Sequence, residues 1–205
     1  DQIDLVKKKF PRPKIGFGEN WFKEENKVTL TKYIKKYCNK KNSIVVELGS
    51  WKGRSGSFIA DKLNDDSLLI CIDLFGGDTC IGVADPYNIY GVFLLNTASN
   101  ENKIIPICKD GREGIKMLAE MKIKPDLIYL DMDHKYESVK GDLDIIYKYF
   151  PKVPVVGDDP LAYAGTKKAL FEFIVEKKVP YLDIDRNCYA IIYDHIPEFT
   201  YYSIL

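Results

Sequence analysis

The chain has 205 residues, 46% of them hydrophobic and 29% charged, with 30 basic and 30 acidic side chains and no net charge. That balance excludes a disordered chain and disfavours a strongly basic nucleic-acid binder. A single domain of this length buries roughly 70% of its unfolded surface, so a core forms without disulfides or a structural metal.

Residues 1–20 carry Pro11, Pro13, Gly16 and Gly18 and read as an irregular segment ahead of one domain over 21–205. Trp21 and Phe22 open a predicted helix to Cys38, with Leu30, Tyr33, Ile34 and Tyr37 at helical spacing. Short apolar runs then alternate with amphipathic stretches. The runs are Ile44–Leu48, Leu68–Asp73, Ile104–Cys108, Leu127–Asp131, Val153–Gly157 and Tyr189–Tyr193. Helices are expected near 54–63, 86–97, 111–120, 136–149 and 166–177. Runs rich in Ile, Leu and Val without polar alternation predict strands buried on both faces. Their alternation with helices predicts βαβ units and a parallel sheet. Segments 180–184 and 188–193, separated by Asp185, Arg186 and Asn187, suit a hairpin that adds an antiparallel strand.

Five cysteines (Cys38, Cys71, Cys80, Cys108 and Cys188) have no paired spacing and read as reduced thiols of an intracellular, cytoplasmic protein. Cys71 and Cys108 lie inside apolar runs and are expected in the core. No apolar run is long enough for a membrane span, and no stretch has the pattern of a signal peptide.

In a parallel sheet of this kind, ligands bind at the carboxyl ends of the strands. The first run ends in Glu47, Leu48, Gly49, Ser50, Trp51, Lys52 and Gly53. This is either a plain tight turn or a loop whose N–H groups approach a ligand closely. Trp51 stands where a dinucleotide fingerprint needs its second glycine, and Arg54 stands where a Walker A loop needs lysine. Both common phosphate loops are therefore excluded. Asp73 ends the second run, placed either to accept from two ribose hydroxyls or to cap a turn. Asp110 either caps the next helix or lines an adenine pocket. The fourth run leads into Asp131, Met132, Asp133 and His134, and the fifth into Asp158 and Asp159. If those strands are neighbours, four carboxylates and an imidazole gather at one edge, where like charges call for a cation. All-oxygen donors favour Mg²⁺, Ca²⁺ or Mn²⁺. His134 is one of two histidines and stands beside this cluster; His195 reads as a surface residue.

Together these residues resemble a class I S-adenosylmethionine (SAM)-dependent methyltransferase, of the small-molecule O-methyltransferase group that includes catechol-type and macrolide-sugar-type enzymes. The resemblance covers roughly 20–195 and rests on five pieces in order: VVELGSWKGRS, ICIDLFGGD, YNIYGVFLLNTASNENKIIPICKDG, LIYLDMDHKYESVKGDL and VVGDD. It implies an α/β Rossmann-like fold, a mostly parallel seven-stranded sheet with an antiparallel C-terminal hairpin strand and helices on both faces. By the same resemblance, Glu47, Gly49 and Ser50 hold the amino-acid end of SAM, Asp73 its ribose, and Asp110 with Gly111 lie near adenine. Asp131, Asp158 and Asp159 fall where metal-dependent members bind a divalent ion such as Mg²⁺. His134 falls where the catechol type has its lysine base and the sugar-type members have histidine. Asp133 would support that histidine or a substrate hydroxyl. Two departures are Pro160 after Asp159 and the sparse G-S-x-x-G loop.

The implied reaction is in-line attack of a substrate oxygen on the sulfonium methyl, with a metal lowering the hydroxyl pKa and His134 taking the proton. The acceptor is a small-molecule hydroxyl, a sugar or nucleotide sugar first and a catechol second. The stretch Gly76–Asn96 reads as a substrate-side insertion whose Tyr87, Tyr90 and Phe93 face either the core or the acceptor. The segment 1–25 would cover the cofactor or a neighbouring subunit, a homodimer being the commonest soluble oligomer. A non-catalytic SAM- or nucleotide-binding module would share the loop and Asp73, but would not need the three aspartates and His134. A nucleic-acid methyltransferase is less well matched, because no Asn-Pro-Pro-Tyr motif occurs and arginine is scarce.

Overall fold

The computed structural model describes residues 2, 9, 16–18, 20–76, 89–185 and 187–194. Expectations for Cys80, Tyr87, Arg186, His195 and most of 1–20 lie outside these residues. In chain order the elements are α1 (Glu24–Tyr37), β1 (Ile44–Leu48), α2 (Arg54–Lys62), β2 (Leu68–Asp73), α3 (Ile89–Asn96), β3 (Ile104–Cys108), α4 (Gly111–Glu120), β4 (Leu127–Leu130), α5 (Tyr136–Tyr149), β5 (Val155–Asp158), α6 (Ala164–Lys177), β6 (Tyr181–Asp185) and β7 (Cys188–Ile192).

The seven strands form one sheet in the order β3-β2-β1-β4-β5-β7-β6. Strands β1 to β5 are parallel, whereas β7 runs antiparallel to both β5 and β6. The strand order reverses between β1 and β4, which opens a crevice at their carboxyl ends. Alternate strand residues feed two cores. Val45, Leu69, Cys71 and Tyr129 pack on one face with Leu30 and Tyr33 of α1 and Ile59 of α2. Val46, Leu48, Ile70 and Ile72 pack on the other with Ile115 of α4, Leu143 of α5 and Phe173 of α6. Each such aliphatic side chain taken out of water contributes about 1.5–3 kcal/mol.

Helix α1 shows how local sequence sets this up. Glu24 and Glu25 sit in its first turn and Lys35 and Lys36 in its last, complementing the helix dipole. Its buried stripe runs Asn26, Thr29, Leu30, Tyr33 and Ile34. The helix starts at Glu24 rather than at Trp21; Phe22 instead packs on Phe58 of α2, and Trp21 stays 43% exposed.

Three expectations are corrected. Burial on both faces holds for the central strands but fails for β3 and β6, which are the sheet's edges. For the same reason Cys108 is exposed at the end of β3 and is not a core residue, whereas Cys71 in β2 is buried. Strand β5 begins at Val155 rather than Val153, because Pro154 has no N–H for the ladder. Among the described residues, no helix is long and apolar enough to cross a membrane.

Candidate active site

The glycine loop leaves β1 at the crevice. Gly49 has φ +87°, a conformation that L side chains rarely adopt. A Cβ there would lie 1.8 Å from the Asp131 carbonyl oxygen, so the loop rests directly on the peptide that follows β4. Asp73 closes the loop from β2: its Oδ2 accepts from the N–H groups of Ser50 and Trp51, both at 2.8 Å, and its Oδ1 from Phe75 N–H at 2.6 Å. Glu47 lies beneath the loop, fully buried, and accepts from Cys71 Sγ. Burial pushes its carboxyl above the ordinary range. Glu47 Oε1 and Ser50 Oγ are buried without a hydrogen-bond partner. Buried polar atoms left without a partner under this loop fit a ligand that brings its own hydrogen-bonding groups, as the amino-acid end of SAM does.

Asp110 acts as a cap. Its Oδ1 accepts from Arg112 N–H at 2.9 Å and Glu113 N–H at 3.2 Å, holding the first turn of α4. Gly111 is buried against Met132, whose Sδ would be 2.7 Å from a Cβ at that position. Asp133 turns toward the start of α5, accepting from Ser138 Oγ at 2.7 Å and Lys135 N–H at 3.2 Å. These bonds tie it to the start of α5, while it also lines the cavity that holds His134.

Strands β4 and β5 are neighbours, with Leu130 opposite Gly157, and this sets Asp131 beside Asp158. Asp131 Oδ2 accepts from the Tyr129 hydroxyl at 3.2 Å. Burial pushes the Asp131 carboxyl well above the ordinary range, and the charges of Asp158 and Glu47 add to it. Asp158 is raised likewise, by burial first and then by Asp159. Among the described residues, neither pairs with a lysine or arginine. Asp159 has φ +49° just past β5, and its Oδ2 lies 3.6 Å from His134 Nε2. The His134 ring packs against Tyr163 with centroids 4.3 Å apart. Its carbonyl accepts from Thr166 Oγ1 at 3.4 Å.

Asp131, His134 and Asp158 line one small cavity with Asp142 and Tyr189. Asp131 and Asp158, two half-buried carboxylates, are the kind of oxygen donor that a hard divalent ion takes. Among the described residues, however, no group of three or more His, Cys, Asp or Glu side chains could hold a metal ion.

Two residues at the site were missed by the sequence reading. Asn26 of α1, 1% exposed, donates from Nδ2 to Asp158 Oδ1 at 2.6 Å. Arg112 donates from Nε to Asp142 Oδ1 at 2.7 Å and from a terminal nitrogen to Ser138 O at 2.9 Å, tying α4 to α5 just after the His134 loop. Burial pushes the Asp142 carboxyl up to about 6, with Arg112 opposing the shift. An unfolded aspartate titrates near about 3.9, so the folded chain holds this proton more tightly. The stabilisation is complete below about pH 4 and is lost as pH rises toward about 6. Asp142→Asn should therefore flatten the fall in stability between those values. Urea melts across the range check this, and an unchanged slope contradicts it.

A family profile described as a methyltransferase domain matches residues 46–159. No curated protein sequence matches. Among solved structures, CalS11, a calicheamicin methyltransferase, is similar over 95% of this chain and 91% of its own, with TM-score 0.62 and 16% identity. An apo structure of CalS11, described as a TDP-rhamnose 3'-O-methyltransferase, matches at TM-score 0.60 and 17% identity, over 95% and 92% of the two chains. An O-methyltransferase from Bacillus cereus in complex with SAH matches at TM-score 0.59 and 10% identity, over 93% and 97%. At these identities the structures establish a shared fold.

Proposed function

The chain belongs to the methyltransferase-domain family, and from that premise we propose that it transfers a methyl group from SAM to a hydroxyl of a small molecule, a sugar or nucleotide sugar in the first instance. The observation that carries this reading is the contact between the two halves of the site: the glycine loop lies against the Asp131 peptide, so cofactor loop and carboxylate cluster share one crevice. CalS11, with a TDP-rhamnose acceptor, supports the sugar class. So do Trp21 and Tyr163, each 43% exposed: Trp21 packs on Trp51 of the loop and Tyr163 on His134. Partly exposed aromatic rings at the site suit a polyhydroxylated ring.

SAM supplies a methyl group on a positively charged sulfur. The hydroxyl of Ser50 would bind its amino-acid end, with Glu47 beneath as support. Asp73 would reach the ribose while holding the loop, and the peptide of Asp110 and Gly111 would border the adenine. Asp131, Asp158 and Asp159 would hold a divalent ion, which lowers the pKa of a coordinated hydroxyl. His134 would take the hydroxyl proton on its imidazole, and the Asp159 carboxylate would face the positive charge that results. Holding both reactants in one crevice contributes several kcal/mol more.

A second reading is favoured by the pairing of His134 with Asp159 and by the open arrangement of the carboxylates: transfer driven by that pair without a metal. Calorimetric titration of SAM, with Mg²⁺ and again with EDTA, separates the two. SAM binding together with an Mg²⁺ signal that disappears in Asp158→Ala supports the metal-assisted reaction. SAM binding with no Mg²⁺ signal supports the second reading, and no SAM binding at all removes both.

A further inference from the structure

We propose that Tyr163, just ahead of α6, is a positioning residue whose ring holds the His134 imidazole turned toward Asp159; this rests on His134 as the base, in both readings above. Tyr163 lies past the stretch 46–159 that matches the methyltransferase-domain family.

The backbone brings the two rings together. Helix α5 packs on α6, and the start of α6 rests on the connection from β4 to α5. A Cβ on Gly165 would lie 2.6 Å from the His134 carbonyl oxygen and 2.7 Å from Tyr136 N. Thr166 Oγ1 donates to the same carbonyl at 3.4 Å. Tyr163 precedes the first helical residue with an extended backbone, φ −118° and ψ 126°, and its carbonyl accepts from Lys167 N–H at 3.0 Å. Its place relative to the His134 connection is therefore set by the docked helix. From there its ring meets the imidazole with centroids 4.3 Å apart and planes 32° from parallel, a contact of faces and not of edges.

The backbone bonds fix where His134 stands, but not which way its ring points. Three staggered wells are open to its χ1, and χ2 is broad. Asp159 Oδ2 lies 3.6 Å from Nε2, which is long for a hydrogen bond, so the carboxylate supplies charge and little direction. The flat face of Tyr163 supplies the direction by confining the imidazole to one plane. An aromatic contact of this kind favours one arrangement over the others by about 2–10-fold. With the ring so held, the nitrogen that faces the carboxylate keeps its proton, because a carboxylate only accepts, and the other nitrogen is left to take one.

The test compares Tyr163→Phe, Tyr163→Leu and Tyr163→Ala with wild type in the full chain. Imidazole ¹⁵N spectra without added metal report the tautomer of His134; the chain has two histidines, so His134→Gln assigns the signals. Methyl transfer from SAM is followed with TDP-rhamnose as the acceptor probe. The expected result is one tautomer, protonated on Nε2, in wild type and the Phe variant, and an averaged pair in the Leu and Ala variants. With it, kcat falls about 2–10-fold in Leu and Ala and recovers in Phe, while KM for TDP-rhamnose, SAM affinity and melting temperature hold. A raised KM with kcat unchanged would assign the ring to acceptor binding and overturn the inference. A Phe variant as impaired as Ala would place the effect in the hydroxyl and also overturn it. Joint loss of SAM binding and melting temperature in Leu and Ala would do the same, leaving the ring as packing only. If wild type does not turn over TDP-rhamnose, the spectra decide alone: an unchanged tautomer in Leu and Ala overturns the inference, and an averaged pair supports it. A His134→Ala variant turning over like wild type would remove the base reading itself, and the inference with it, without reference to Tyr163.

Discussion

His134→Ala should lower kcat by about 10²–10⁴-fold while leaving the SAM dissociation constant within about two-fold of wild type. The split follows from where the side chain stands. His134 lies on the short connection between β4 and α5, three residues past Asp131, whose backbone meets the glycine loop. Its backbone is held independently of its ring. Thr166 bonds the carbonyl, and Gly165 lets the start of α6 approach so closely that a Cβ would lie 2.6 Å from that oxygen. Removing the imidazole therefore leaves the loop docked and the SAM-side residues untouched. What disappears is the proton acceptor. His134→Gln, which keeps polarity but cannot take a proton at neutral pH, should be as impaired as the alanine variant. Activity within about ten-fold of wild type in either variant would assign the base to another group.

The strand ends were legible because fully buried parallel strands read as plain apolar runs, and the first polar residue after each run falls on the crevice. Asp73, Asp131 and Asp158 were found this way, and β4 and β5 prove to be neighbours. Side-chain direction was not legible. Asp110, Asp133 and the three sheet-end aspartates look alike in sequence, yet the first two turn back onto the helices they precede. An aspartate just ahead of a helix has unpaired N–H groups to accept from, whereas Asp73, Asp131 and Asp158 find partners on other elements, which the sequence alone does not name. Asn26 was missed for the opposite reason. Its partner is 132 residues away, and its one sequence trace is polarity in register with Leu30, Tyr33 and Ile34. Cys108 was misplaced because a run of apolar residues does not say whether its strand is central or at an edge. Order in the sheet is set by crossovers, which a single run cannot record.

Gly49→Ala should be the most damaging single methyl group added to the site, costing about 2–5 kcal/mol of stability. Two terms add. An L residue held at φ +87° pays about 1–2 kcal/mol. The new Cβ also falls 1.8 Å from the Asp131 oxygen and 2.6 Å from its carbonyl carbon, and both are backbone atoms that cannot swing aside. The overlap is relieved only by moving the loop off β4. That movement breaks the bonds from Asp73 to the Ser50 and Trp51 amides, or else drags the Asp131 carboxylate with it. For a chain of this size the loss corresponds to a fall in melting temperature of about 5–20 °C. SAM affinity should fall beyond the range of a standard titration, because the loop amides and the strand end can no longer keep their spacing. Gly111→Ala is the comparison that isolates the cause. Its Cβ would also be crowded, at 2.7 Å, but against the Sδ of Met132, a flexible side chain that can rotate away. It should cost less than Gly49→Ala in both stability and SAM affinity. Equal effects of the two substitutions would mean that crowding in general, and not the contact between the cofactor loop and the Asp131 peptide, limits this site.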